Sequence, residues 1–129
     1  MTTDQFNTIT DALLQSWSLR SSSKWTKDNP AKGQCGVTAL VVNDLFGGDI
    51  MKTKLPGGWH FYNVSGGKRY DFTASQFNED LIYTDTPSNR EEAYADTNEG
   101  QYRYLKQVCS LYVSLLVCSD GITSEYFYN

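Results

Sequence analysis

One cysteine, one histidine and one aspartate have the types and spacing to do chemistry in this chain. Cys35 stands between Gln34 and Gly36, just after Gly33, and the apolar segment Val37 to Phe46 begins at once. Val37, Leu40, Val41, Asp44 and Leu45 recur at steps of three and four, which predicts a helix with one apolar face, interrupted at Asp44. Gly47-Gly48 supplies its stop. Cys35 then falls at the helix N-terminus, where unpaired N–H groups and the macrodipole favour an anion. A thiolate is such an anion. The spacing therefore predicts a depressed thiol pKa, and a Cys35 that alkylates before Cys109 or Cys118. The competing reading is a buried structural cysteine.

His60 is the single histidine. Trp59-His60-Phe61-Tyr62-Asn63-Val64 is rich in aromatic and β-branched residues and reads as a strand, Ser65-Gly66-Gly67-Lys68 as a hairpin turn, and Arg69-Tyr70-Asp71-Phe72 as the returning strand. With Gly66 and Gly67 as the two loop residues, Ser65 opposes Lys68, Tyr62 opposes Asp71 and His60 opposes Thr73. Asp71 is then the diagonal neighbour of His60 on one sheet face, within roughly 7 Å. A one-residue slip would turn it to the other face. A carboxylate there takes an imidazole N–H, fixes the tautomer and supports positive charge on the ring. Cys35, His60 and Asp71 thus fit the nucleophile, base and orienter of thiol catalysis. Blander readings are a structural histidine and a solvated hairpin carboxylate. An open zinc site on the same three residues is a weaker alternative, because no further His or Cys supports it.

The elements that must position these residues follow from the rest of the chain. Thr2-Thr3-Asp4-Gln5 reads as a capping box opening a helix whose Phe6, Ile9, Leu13 and Trp17 share a face to about Leu19, with Ser21-Ser22-Ser23 ending it. Residues 24–32 are a loop that delivers Cys35, and Trp25 in it reads as an anchor or a substrate contact. Residues 49–55 read as a strand, with Pro56-Gly57-Gly58 turning into the His60 strand. Thr73 to Phe77 is a short helical turn. Residues 78–100 are polar and read mostly as loop, with one helical turn capped by Ser88. Residues 101–118 read as a helix with Cys109 and Cys118 in its core face. Asp120-Gly121 is a stop, and Tyr126 to Asn129 is an aromatic tail.

The 129 residues predict one domain, large enough to bury a core without staples. Scattered charges with a net of −4 argue against a nucleic-acid partner. Three cysteines without a CxxC spacing argue against a disulfide framework or a Cys-rich zinc site. No apolar run approaches the ~20 residues of a membrane span, and the first residues lack a signal-peptide pattern. A cytoplasmic chain with no membrane partner, no cofactor and no metal is expected.

Gly33-Gln34-Cys35-Gly36-Val37-Thr38-Ala39-Leu40, with Asn43-Asp44-Leu45-Phe46-Gly47-Gly48, resembles the YunG family of small bacterial proteins. So do Trp59 to Asn63, Tyr70 to Thr73 and Gln76-Phe77, and the resemblance runs from about Pro30 to Gln107. More distantly, the order Cys, His, Asp on a helix and then an antiparallel sheet is similar to the papain-like and transglutaminase-like thiol hydrolases, including NlpC-type amidases. That resemblance implies a single papain-like α+β domain over residues 1–129, with the Cys35 helix on a small antiparallel sheet and terminal helices covering it. It implies Cys35 as nucleophile, His60 as general base and acid, Asp71 as orienter, and a peptide or other amide-bearing substrate. Papain-like enzymes also place a glutamine amide in the oxyanion hole. Gln34 is closer to the cysteine than in that pattern, Gln15 lies farther upstream, and Trp59 and Trp25 are candidate substrate contacts. A binding module without turnover on the same fold is the alternative function.

Overall fold

The computed structural model describes residues 1–120. Helix α1, Thr3–Ser16, opens on the capping box: the Thr2 hydroxyl accepts from the Gln5 N–H, and the Gln5 side chain accepts from the Thr2 N–H. It ends at Ser16, three residues before the expected Leu19. The Ser16 hydroxyl donates to the Ala12 carbonyl, and the Ser21 hydroxyl accepts from the Ser18 N–H and donates to the Ser18 carbonyl, so serine side chains offer the chain a turn in place of a further helical turn. Trp17 is drawn inward, its indole N–H donating to the Thr38 hydroxyl at 3.0 Å.

Helix α2 runs Cys35–Phe46, and its C-cap Gly47 has φ 72°. The expectation of a single apolar face is corrected here, because Gly36 to Val42 are all buried. Val37, Val41 and Val42 pack with Ile9, Leu13, Leu105, Cys109 and Val113 of the helical layer. Ala39 and Leu40 pack on the other side with Ile50, Phe61 and Ala93. A helix that is apolar all round belongs at the centre of a molecule. Asp44 lies past the buried turns, where Arg90, Lys106 and the Tyr102 hydroxyl surround it.

The sheet is antiparallel in the order β3-β2-β1-β4, built from β1 Asp49–Leu55, β2 Gly58–Ser65, β3 Lys68–Tyr70 and β4 Thr86–Pro87. The Gly66-Gly67 turn sets the expected register, with Ser65 opposite Lys68 and Asn63 opposite Tyr70. β3 stops at Tyr70, short of Phe72. The Asp71 carboxylate accepts from the Thr73 N–H two residues on, an Asx turn that bends the chain into the one-turn 3₁₀ helix Ala74–Gln76.

Residues 78–100 hold more structure than their polarity suggests. Besides β4 they form α3, Arg90–Ala95, whose cap is Asn89 rather than Ser88. The Ser88 hydroxyl instead donates to Glu92, and its N–H bonds β1 at Ile50. Helix α4, Glu99–Asp120, lies along α1. Cys109 is buried in it, but Cys118 is exposed, which corrects its assignment to the core. Nine residues at 100° each turn the helix about 180° from Cys109, so the two thiols face opposite ways. The Gly121 stop and the aromatic tail lie outside the described residues.

Candidate functional site

Cys35 is the first residue of α2, and its sulfur sits beside β2. Donors there are the Phe61 and Gly36 backbone N–H groups, both of which pull the thiol pKa down. They are outweighed. Asp96, which follows α3, sends Oδ2 to within 3.5 Å of the sulfur and accepts the Gly36 N–H at 3.1 Å. Burial first, and then the Asp96 charge, push the Cys35 thiol up to about 12. The depressed pKa expected of a helix-start cysteine is therefore reversed: the anion at the head of α2 is a carboxylate. The Asp96 carboxyl is itself raised by burial, against the pull of the thiol, the Gly36 N–H and the charge of Lys24.

The fit depends on Gly36. A Cβ there would meet Asp96 Oδ2 at 2.6 Å and the Ala93 carbonyl oxygen at 2.7 Å, so only glycine lets the end of α3 rest on α2.

His60 and Asp71 meet as the hairpin register implies. Nε2 lies 2.7 Å from Asp71 Oδ2, with the two side chains 2% and 5% exposed. Asp71 also takes the Tyr83 hydroxyl at 2.7 Å and the Thr73 hydroxyl and N–H at 3.3 and 3.2 Å. A carboxylate only accepts, so the imidazole proton belongs on Nε2 and the Nδ1 lone pair is free. Nδ1 is buried without a hydrogen-bond partner.

Alternation along β2 sends Phe61 and Asn63 towards α2, where Asn63 donates to the Ala39 carbonyl. His60 and Tyr62 take the other face, against Phe77 and Tyr83. The thiol bonds Asp96, and His60 Nδ1 takes no hydrogen bond from it. Cys35 and His60 nevertheless line one cleft of about 1030 Å³, along with Trp59, Gln76, Phe77 and Asp96.

The remaining sequence candidates divide. Trp59, 40% exposed, lines the cleft with Lys52 and Lys54 against its ring. Gln34 is wholly buried, and neither its amide oxygen nor its amide nitrogen has a partner. It is not among the residues that line the cleft, nor are Gln15, exposed on α1, and Trp25, packed against the helical core. Sequence reasoning missed Asp96, Tyr83 and Gln76. Gln76 had one signal, its place within the family-like motif. Its Oε1 accepts the Gly33 N–H at 3.3 Å, and its Nε2 is buried without an acceptor. Among the described residues, no three His, Cys, Asp or Glu side chains are grouped as a metal ion requires.

Fold and site together describe an α+β protein whose described residues form four α-helices and a small antiparallel sheet, with a thiol at the head of the central helix and the histidine of a His–Asp pair opening on the same cleft. The chain belongs to the YunG family, whose profile, described as YunG protein, matches residues 5–113. It is similar to the uncharacterised protein YunG of Bacillus subtilis (strain 168), with 54% identity over 102 residues, 79% of this chain and 89% of that one. No solved structure gives a significant match.

Proposed function

We propose that the chain is a thiol hydrolase or acyltransferase on a papain-like core, acting on an amide or thioester carbonyl. One observation carries this reading: a cysteine at a helix N-terminus opens on the same cleft as a histidine whose outer nitrogen is held by a buried carboxylate. Cys35 is the nucleophile, His60 the base and Asp71 the orienter. The thiol proton passes to His60 Nδ1, the sulfur bonds the carbonyl carbon, and the leaving amine or thiolate departs with that proton. Water or an amine then cleaves the thioester by the reverse transfer. Gln76 Nε2, a donor lacking an acceptor, suits the carbonyl oxygen. Three free cysteines suit the reducing cytoplasm.

The test is acylation by p-nitrophenyl acetate, read thiol by thiol in a mass spectrometer. Cys35 should acylate and turn over, and His60→Ala should slow it about 10²-fold or more, the usual worth of a general base. A second reading, a binding module without turnover, is favoured by the bond from the thiol to Asp96 in place of the imidazole. Cys35 acylation no faster than that of exposed Cys118, and indifferent to His60→Ala, would support it.

A further inference from the structure

Among the described residues Asp96 forms no ion pair, and Lys24 acts on it only from a distance. Its Oδ2 faces a neutral thiol and one backbone N–H, at the end of a six-residue helix seated on α2 through a glycine-sized gap. In the same cleft, two buried side-chain nitrogens lack partners: His60 Nδ1, which offers a lone pair, and Gln76 Nε2, which offers N–H groups. Buried polar groups without partners call for an explanation. A group that brings both a carbonyl oxygen and a proton-bearing leaving atom would satisfy both.

We infer that Asp96 is an internal stand-in for the substrate's acyl oxygen, and that the α3–α4 turn carrying it is a gate that must lift before Cys35 can react. In the closed state the carboxylate occupies the Gly36 N–H and holds the proton on sulfur. When the turn at Ala95 to Asn98 moves away, that N–H is free for the carbonyl oxygen of an incoming acyl group, and the sulfur can give its proton to His60. The inference rests on the reading of Cys35 as the reacting group and adds what keeps it silent. It also accounts for glycine at position 36, which a self-contained helix would exchange for alanine with a gain.

The experiment is iodoacetamide labelling of the full chain at pH 7, resolved by cysteine. Cys118, exposed, serves as the rate reference, and Cys109, buried, as the reporter of unfolding. Asp96→Asn removes the charge, and Gly36→Ala wedges the turn away. Each should raise the Cys35 rate relative to Cys118 by about tenfold or more, the factor set by one unit of thiol pKa, with Cys109 still silent. An unchanged or slower Cys35 in both variants would overturn the gate. So would a rise shared by Cys109, because Asp96 would then be holding the fold together rather than closing a cleft. Faster labelling without His60-dependent acylation keeps the gate and removes the hydrolase reading, so the two failures are distinct.

Discussion

Asp71 is the residue on which most of the site's order converges. Its two oxygens receive four hydrogen bonds, from His60, Tyr83 and both groups of Thr73. From the hairpin alone Asp71→Asn reads as nearly silent for the fold. With the carboxylate buried, the exchange presents an N–H₂ group to donors, and we expect it to cost about 1–3 kcal/mol in urea unfolding. It should also slow His60-dependent acylation of Cys35, because the imidazole loses the partner that fixes its tautomer. The three thiols should label in the order Cys118, Cys35, Cys109, read by iodoacetamide mass spectrometry on the folded chain. Exposure puts Cys118 first, and burial raises Cys35 and Cys109 alike, each to about 12. Labelling of Cys35 first would show that Asp96 does not shield it. The His60–Asp71 pair was legible because a two-glycine turn fixes register over a few residues. Asp96 was not legible: it lies 61 residues from Cys35 in sequence, at the end of a polar segment whose charges look alike.

At the scale of elements, the contact between α3 and α2 sets the geometry of the thiol. Alanine at position 36 should favour an isolated helix by about 1 kcal/mol. In the folded chain its Cβ would press on the Ala93 carbonyl, a backbone atom that cannot swing aside. Gly36→Ala should therefore destabilise by about 1–3 kcal/mol, the usual cost of overpacking, and lower the thermal midpoint. An unchanged or raised midpoint would mean that α3 rests only loosely on α2. Helices α1, α2 and α4 and the β1-β2-β3 meander were legible from caps, periodicity and turns. The amphipathic period misread α2 because a helix buried between two layers has no wet face, and Asp44 merely marks where it emerges. Cys118 was misplaced for a related reason: an apolar run names a helix but not the limits of its buried stripe. β4 is two residues long, too short to show alternation, and it exists only because β1 offers it a partner.

For the whole molecule, buried acids that ionise at high pH tie stability to alkalinity. Cys35 and Cys109 rise from 9.0 to about 12 in the fold, so their contribution is fully present below pH 9 and is lost between pH 9 and 12, where the unfolded thiols release protons first. Tyr62 and Tyr83, both pushed above the usual phenol value by burial, add to the same loss. Urea midpoints should hold steady to pH 8 and fall beyond pH 9, with a shallower fall in Cys109→Ala once its lower starting stability is taken into account. A midpoint that rises with pH across that range would contradict thiols that stay protonated in the fold.

The sheet has one more property, seen at its margins. β3 is three residues long and carries Lys68 and Arg69, while β4 is two residues long and ends in Pro87, which has no N–H to offer. Between them lie the seven residues of β1 and the eight of β2, so the longer strands are flanked by short ones. A long open strand is a template on which a second chain can add itself. The short, charged and proline-ended borders leave such a chain little to grip, and they work as a safeguard against polymerisation. Replacing residues 84–88 by a flexible glycine–serine segment would uncover the outer side of β1, and the expected result is growth of light scattering with time in a protein that still folds.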